Sequence, residues 1–173
     1  MKQQVELEAA QPHHVPLVAN LLELYMHDLS DVFPIEIGPD GRFGYDKLPC
    51  YWQEPTRRFP FLIRADERVA GFVLATRGSP VTDDPDDLDI AEFFVLRRYR
   101  RDHVGRRAAF LLWNRLPGHW IVRVSLGNHR ALSFWQPIIQ EYTGGTLVEK
   151  RSTGTPHDWS VIAFHSPGRA RAT

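Results

Sequence analysis

The N-terminal part of the chain shows two hydrophobic patterns in succession. Residues 5–8 alternate between apolar and acidic side chains, which is typical of a strand with one buried face. From Val15 to Leu29 apolar side chains recur at helical spacing, and Pro16 is tolerated because it falls in the first turn. The chain therefore opens with a strand followed by a helix.

Residues 30–58 have no sustained period and are rich in Pro, Gly and aromatic side chains, with a short helix predicted at residues 48–53. We expect this irregular segment to face a substrate. Apolar runs at residues 61–63 and 69–75 flank a polar stretch and predict an antiparallel hairpin. After a loop, the apolar run at residues 88–96 predicts a buried strand that Glu92 interrupts.

The remaining periodic segments complete the order of elements. They predict a helix at 104–116, a strand at 120–126, a helix at 128–139, and strands at 146–152 and 159–164. Pro137 should bend or shorten the second of these helices. The whole order predicts an α/β fold with one mixed sheet and helices on its faces. We expect one domain over residues 1–166 and a flexible tail over residues 167–173.

Composition excludes several classes of protein. The apolar fraction of 43% and charged fraction of 24% are ordinary for globular proteins. The chain has no apolar run of about 18 residues and no standard secretory signal, so we expect a soluble protein. Cys50 is the only cysteine, which excludes an intramolecular disulfide and is compatible with a cytoplasmic location.

Charge is balanced overall but unevenly distributed. Twenty-one basic and twenty-one acidic side chains cancel, which argues against nucleic acid or a membrane surface as a partner. Arginines cluster within residues 97–107, directly after an acidic run at residues 83–89. Because the arginines follow a predicted strand and precede a predicted helix, they indicate an anion site at the helix start, where backbone N–H groups are unpaired.

This strand, turn and helix resemble the phosphate-binding loop of the GNAT N-acetyltransferases. The pattern of that family is Arg or Gln, two residues, Gly, one residue, then Gly or Ala. Arg100 and Gly105 fall on it in register, and His103 replaces the first glycine. Backbone donation at His103 needs no glycine if the dihedral angles there stay helical or nearly so.

The resemblance implies a central mixed, mostly antiparallel sheet with splayed middle strands, and acetyl-CoA as the co-substrate. The residues that it implies for cofactor binding are Phe93, Val95, Arg100, Arg101, Asp102, His103, Val104, Gly105, Arg106 and Asn128. A second stretch, residues 124–135, resembles the next strand and helix of the family, with Asn128 and Ala131 at the family's spacing. The resemblance spans roughly residues 90–145.

Acetyl transfer to an amine needs a proton acceptor, because an alkylammonium has a pKa of about 10. Glu92 is the candidate general base, since it interrupts a buried strand three residues before Val95. The alternative is a paired structural carboxylate. The family often uses a tyrosine as general acid seven residues after the asparagine, but Trp135 stands there. Tyr142 is the candidate substitute, with Tyr25 or an unprotonated thiolate as alternatives.

The amine acceptor is not identified by any motif. In the resembling fold the end of the first helix borders the acceptor cleft, so Tyr25, His27 and Asp28 are candidate substrate contacts, although a solvated helix end explains them as well. The acidic run at residues 83–89 is a candidate attractor of a cationic amine. We predict no metal site.

Two other functions fit parts of the sequence. Trp135 and His103 favour a non-catalytic domain that binds or senses acyl-CoA. The arginine cluster is compatible with a nucleic-acid-binding module, against which the zero net charge and the lack of a reader motif argue. A small-molecule or peptide amine is the expected substrate, and a homodimer is compatible with the sequence.

Overall fold

The computed structural model describes residues 3–154 and 158–168. Within these ranges it contains seven strands and four α-helices, in the order predicted from the sequence. They are β1 (Val5–Ala9), α1 (Val15–Leu29), α2 (Cys50–Gln53), β2 (Arg58–Ala65), β3 (Arg68–Arg77), β4 (Leu88–Val95), α3 (Val104–Arg115), β5 (Gly118–Ser125), α4 (His129–Thr143), β6 (Val148–Ser152) and β7 (Trp159–Ser166). Residues 155–157, between the last two predicted strands, and most of the predicted tail lie outside the described residues.

The strands form one mixed sheet in the order β1-β2-β3-β4-β5-β7-β6. Three neighbouring pairs, β1–β2, β5–β7 and β6–β7, are antiparallel. β4 and β5 are parallel, and the paired residues, Leu88 with Trp120 and Asp89 with Ile121, are at the start of β4. The expected mixed, mostly antiparallel sheet is confirmed.

The chain divides into two compact units. The first contains the described residues up to Leu74 together with Glu92–Val104, and the second contains Ala75–Ala91 and the described residues from Gly105 onward. β3 and β4 each supply residues to both units. The candidate base and the residues up to the start of α3 therefore belong to the first unit.

The core of the first unit forms around one face of α1. Val18, Leu21 and Leu22, spaced three and then one residue apart, are buried because this spacing puts them on the same side of a helix. The other buried members of the cluster are Ala10, Leu48, Tyr51, Leu62, Phe72, Leu74 and Phe94. Most of the apolar side chains of residues 48–74 thus serve packing.

The backbones of β3 and β4 come unusually close at Gly71. A Cβ atom there would lie 2.0 Å from the carbonyl oxygen of Phe94 and 3.0 Å from the Cα atom of Val95. The N–H of Leu96 donates to the carbonyl of Ala70 at 2.8 Å, just beyond this contact. Only glycine fits, so Gly71 fixes the end of β4 where Val95 lies.

An aromatic cluster forms the core of the second unit. Trp113 is fully buried, and its ring centroid lies 4.9 Å from that of Tyr142 and 5.0 Å from that of Phe164. α4 is capped at its start by Asn128 and continues past Pro137 to Thr143. Of the two predicted effects of Pro137, a bend or a shortening, the shortening is wrong, since the cap and the packing of α4 outweigh the one backbone hydrogen bond that proline removes.

In the described ranges, no helix combines the length and the apolarity needed to cross a membrane.

Candidate functional site

Glu92 lies on β4 and is half-buried, next to the buried residues Phe94 and Val95. The hydroxyl of Tyr45, in the irregular segment before α2, donates a hydrogen bond to Oε1 of Glu92 at 2.9 Å. Burial and the negative charge of Glu92 raise the pKa of the Tyr45 hydroxyl far above its usual value. Tyr45 is therefore a neutral hydroxyl donor to Glu92 that keeps its proton across the pH range in which proteins work.

The loop between β4 and α3 carries two residues with unusual backbone angles. Arg101 has φ 82° and His103 has φ 57°, both in the left-handed region that side chains other than glycine rarely adopt. The near-helical angles under which His103 would replace glycine without strain are not observed. This position instead takes the left-handed conformation that glycine adopts easily. Arg101, Asp102 and His103 are exposed, whereas Val104 and Gly105 are buried at the start of α3.

Arg100 is held by two groups of the first unit. Its Nε donates to the carbonyl oxygen of Val95 at 2.7 Å, and its Nη2 donates to Oδ2 of Asp28 at 2.5 Å. Arg97 donates to the other oxygen of Asp28 at 2.7 Å. The structure thus joins a predicted substrate contact, Asp28, to a predicted cofactor contact, Arg100, in one ion-paired cluster.

The pKa of Asp28 reflects two opposing effects. Burial disfavours its charged form, but the hydrogen bonds and charges of Arg100 and Arg97 favour it, and the pKa of Asp28 is lowered. Asp28 is accordingly an anion that holds the loop to the end of α1.

Three further predicted residues are engaged within the second unit. Arg106 forms an ion pair with Glu141, which raises the pKa of the Arg106 guanidinium. Oδ1 of Asn128 accepts a hydrogen bond from the N–H of Ala131 at 3.0 Å and so caps α4. The hydroxyl of Tyr142 donates to Oδ1 of Asn114 at 2.9 Å and is hydrogen-bonded to Ser166 at 2.7 Å.

The acidic run at residues 83–89 does not act as one solvated patch. Asp87 and Asp89 are buried, with 4% and 0% of their surfaces exposed. Asp87 lies 2.7 Å from Nδ1 of His119, and Asp89 accepts two hydrogen bonds from Arg123. The expectation that the whole run attracts a cationic amine is wrong for these two residues, because folding pairs them with side chains of β5.

The geometry therefore combines a strand carboxylate with a phenol donor and a strained loop that leads into a helix start. A model of the acetyltransferase (GNAT) family matches residues 19–137, well over half of the chain. The chain belongs to the GNAT acetyltransferase family. A comparison with curated protein sequences gives no match.

Solved structures share the fold of this GNAT protein over nearly their whole length. The aminoglycoside acetyltransferase AAC(6')-Ib, in complex with coenzyme A, has a TM-score of 0.68 at 12% identity, with 94% of this chain and 95% of that chain covered. The spermidine N-acetyltransferase of Vibrio cholerae, in complex with CoA and spermine, has a TM-score of 0.64 at 13% identity, with 94% and 96% covered. An acetyltransferase from Thermus thermophilus has a TM-score of 0.66 at 16% identity, with 94% and 97% covered. The predicted fold class is confirmed.

The remaining predicted positions of the GNAT chain lie on α1 and β4. Tyr25 is half-buried, and its ring centroid lies 5.8 Å from those of Phe72 and Phe94. His27 is exposed, and Phe93 is half-buried on β4. Tyr25 thus packs on the core of the first unit, whereas His27 is accessible to solvent.

Sequence reasoning missed Tyr45. This residue lies 47 positions before Glu92 in a segment without periodicity, and its only signal was the aromatic content of residues 30–58.

Among the described residues, no group of three or more His, Cys, Asp or Glu side chains has an arrangement that would hold a metal ion.

Proposed function

We propose that this GNAT acetyltransferase moves the acetyl group of acetyl-CoA to a primary amine by direct attack in a ternary complex. The observation that carries the proposal is the hydrogen-bonded carboxylate of Glu92 on β4, three residues before Val95. Family membership supplies the reaction class. Two structural neighbours, one in complex with coenzyme A and one with CoA and spermine, favour acetyl-CoA as the co-substrate and an amine as the acceptor.

In the proposed reaction Glu92 accepts a proton from the ammonium form of the substrate, directly or through water. The neutral nitrogen then attacks the thioester carbonyl, and the C–S bond breaks as the C–N bond forms. A backbone N–H near Val95 stabilises the charge on the carbonyl oxygen. The amide, free CoA and one proton leave, so atoms and charge balance.

The loop from Arg100 to Gly105 is the proposed pyrophosphate site. The left-handed angles at Arg101 and His103 turn the chain sharply, so that consecutive N–H groups precede the start of α3. Phe93 and Val95 are proposed to meet the pantetheine arm, and Asn128 and Arg106 the rest of the cofactor. Gly105 is buried, so the backbone there admits an anion only in the absence of a side chain.

Tyr25, His27 and Asp28 remain the proposed substrate contacts at the end of α1, with Asp28 acting through its hold on Arg97 and Arg100. Tyr142 remains the candidate acid for the departing thiolate. Its bonds to Asn114 and Ser166 favour a structural role, and departure of an unprotonated thiolate then completes the reaction.

The first experiment is a calorimetric titration with acetyl-CoA. Wild-type protein should bind in the micromolar range, and Gly105→Glu should abolish binding because it puts bulk and negative charge against the pyrophosphate. Gly154→Glu, which adds the same charge at an exposed glycine beyond β6, is the matched control and should bind like wild type. Absence of wild-type binding would overturn the proposed function.

A further inference from the structure

A tyrosine of the irregular segment donates a hydrogen bond to Glu92 within the first unit. The hydroxyl of Tyr45 lies 2.9 Å from Oε1 of Glu92, 47 positions away in the sequence. Tyr51, on α2, interacts electrostatically with both Tyr45 and Glu92. The hydrogen bond therefore joins the irregular segment to β4.

The direction of the bond from Tyr45 follows from the hydrogens available. A phenol has one hydrogen and an ionised carboxylate has none, so the hydroxyl of Tyr45 donates and Glu92 accepts.

The surroundings keep both phenols protonated. Burial raises the pKa of Tyr51 to about 12, and burial together with Glu92 raises that of Tyr45 further. Tyr51 is only 2% exposed, and the guanidinium of Arg58 lies 5.3 Å from its ring centroid. Arg58 itself is fixed by Glu54, whose carboxylate accepts from its Nε at 3.1 Å.

We infer that Tyr45 is a positioning residue for the general base: its hydroxyl fixes the carboxylate of Glu92 and stabilises the charged form. The inference rests on the proposed function of Glu92. A carboxylate offers about four acceptor sites, so the bond from Tyr45 does not exhaust its capacity to take a proton.

The direction in which Tyr45 changes the pKa of Glu92 follows from the kind of bond. A hydrogen bond donated to a carboxylate favours its charged form and so lowers its pKa. The titratable groups that interact electrostatically with Glu92 include Tyr45 and Tyr51, and both stay neutral because burial raises their pKa values. Of these two, Tyr45 donates a hydrogen bond to Oε1 of Glu92, so its removal should change the pKa of Glu92.

The test is the pH dependence of kcat/KM for an amine substrate in Tyr45→Phe. Loss of the donor raises the pKa of Glu92, so the acidic limb should move to higher pH by about one unit. On the acidic limb kcat/KM should fall roughly tenfold, while calorimetric binding of acetyl-CoA stays unchanged. Tyr51→Phe, which leaves the bond from Tyr45 to Glu92 in place, is the matched control and should leave the limb where it is in wild type.

A loss of activity that is equal at all pH values would overturn the inference, since a merely structural role lowers activity without moving the limb. A second readout needs no activity: a carbon-detected NMR titration of the Glu92 carboxyl, assigned with Glu92→Gln. Its pKa should be higher in Tyr45→Phe than in wild type, and an unchanged pKa would refute the role of Tyr45. If the NMR shift occurs while no amine is acetylated, the proposed function fails and the assignment of Tyr45 as donor to Glu92 stands.

Discussion

Two carboxylates of the same strand, β4, one in each unit, differ in their burial and in the side chains that donate hydrogen bonds to them. Asp89, in the second unit, is fully buried and accepts a bidentate pair from Arg123 at 2.8 and 2.9 Å and a third bond from Ser79 at 2.6 Å. Glu92, in the first unit, is half-buried and takes its hydrogen bond from the neutral phenol of Tyr45. A guanidinium is paired with the first carboxylate, whereas a neutral phenol donates to the second.

The difference predicts which carboxylate contributes to stability and which to catalysis. A carboxylate bound bidentately to arginine holds two strands together and does not readily take up a proton. One that is held by a phenol keeps its charge and its acceptor sites. We therefore expect substitutions at Asp89 to act on folding and substitutions at Glu92 to act on turnover.

The largest expected effect is that of Asp89→Asn. It removes the fully buried charge that pairs with Arg123, which should cost about 3 kcal/mol in the free energy of unfolding. Asp86→Asn is the matched control, since Asp86 is 81% exposed and lies 3.6 Å from Arg77, and it should cost less than about 0.5 kcal/mol. Urea unfolding monitored by tryptophan fluorescence measures both values, and equal costs would contradict the comparison.

Glu92→Gln should show the reverse pattern. A glutamine oxygen still accepts the hydrogen bond from Tyr45, so the free energy of unfolding should change by less than about 1 kcal/mol. Removal of the general base should lower kcat/KM about 100-fold.

Steady-state kinetics and urea unfolding on the same preparation test this pattern. Unchanged turnover in Glu92→Gln would exclude Glu92 as the base. A wild-type protein that binds acetyl-CoA but acetylates no amine would instead favour the acyl-CoA-sensing alternative.

The order of elements was predictable because hydrophobic period and the Gly and Pro positions are local properties. The apolar run predicted as a strand at residues 88–96 is Leu88–Val95, and the helix predicted at residues 104–116 is Val104–Arg115. The phosphate-loop pattern also marked His103 as a glycine position, and its φ of 57° agrees with that pattern. Sequence reasoning therefore located the loop and the strand carboxylate.

The partners of the charged residues were not predictable. Asp28 and Arg100 are 72 positions apart, and Tyr45 and Glu92 are 47 apart, so their contacts depend on how distant elements meet. Each of Asp28 and Arg100 was singled out as a ligand contact, yet in the structure each is the partner of the other. The burial of Asp89 was missed because Asp89 is the last residue of an acidic run, and acidic runs are typical of solvated loops.

Asp28→Asn should give the smallest effect. It tests whether the role of a carboxylate depends on the residues that it pairs with or on the unit in which it lies. Asp28 belongs to the first unit, like Glu92, but its partners are arginines, like that of Asp89. Arg97 is 74% exposed and Arg100 keeps its bond to Val95, so the substitution should cost only about 1 kcal/mol in the free energy of unfolding at pH 7. The folded-state pKa of Asp28 is lowered, so its contribution is present above the unfolded value of about 3.9 and is lost as the pH falls through the folded pKa. Urea unfolding between pH 7 and the acid range should show less acid destabilisation in Asp28→Asn than in wild type. Asp31→Asn, at an exposed position, is the control and should behave like wild type. If the free energy of unfolding has the same pH dependence in all three proteins, the arginines do not stabilise the charge of Asp28.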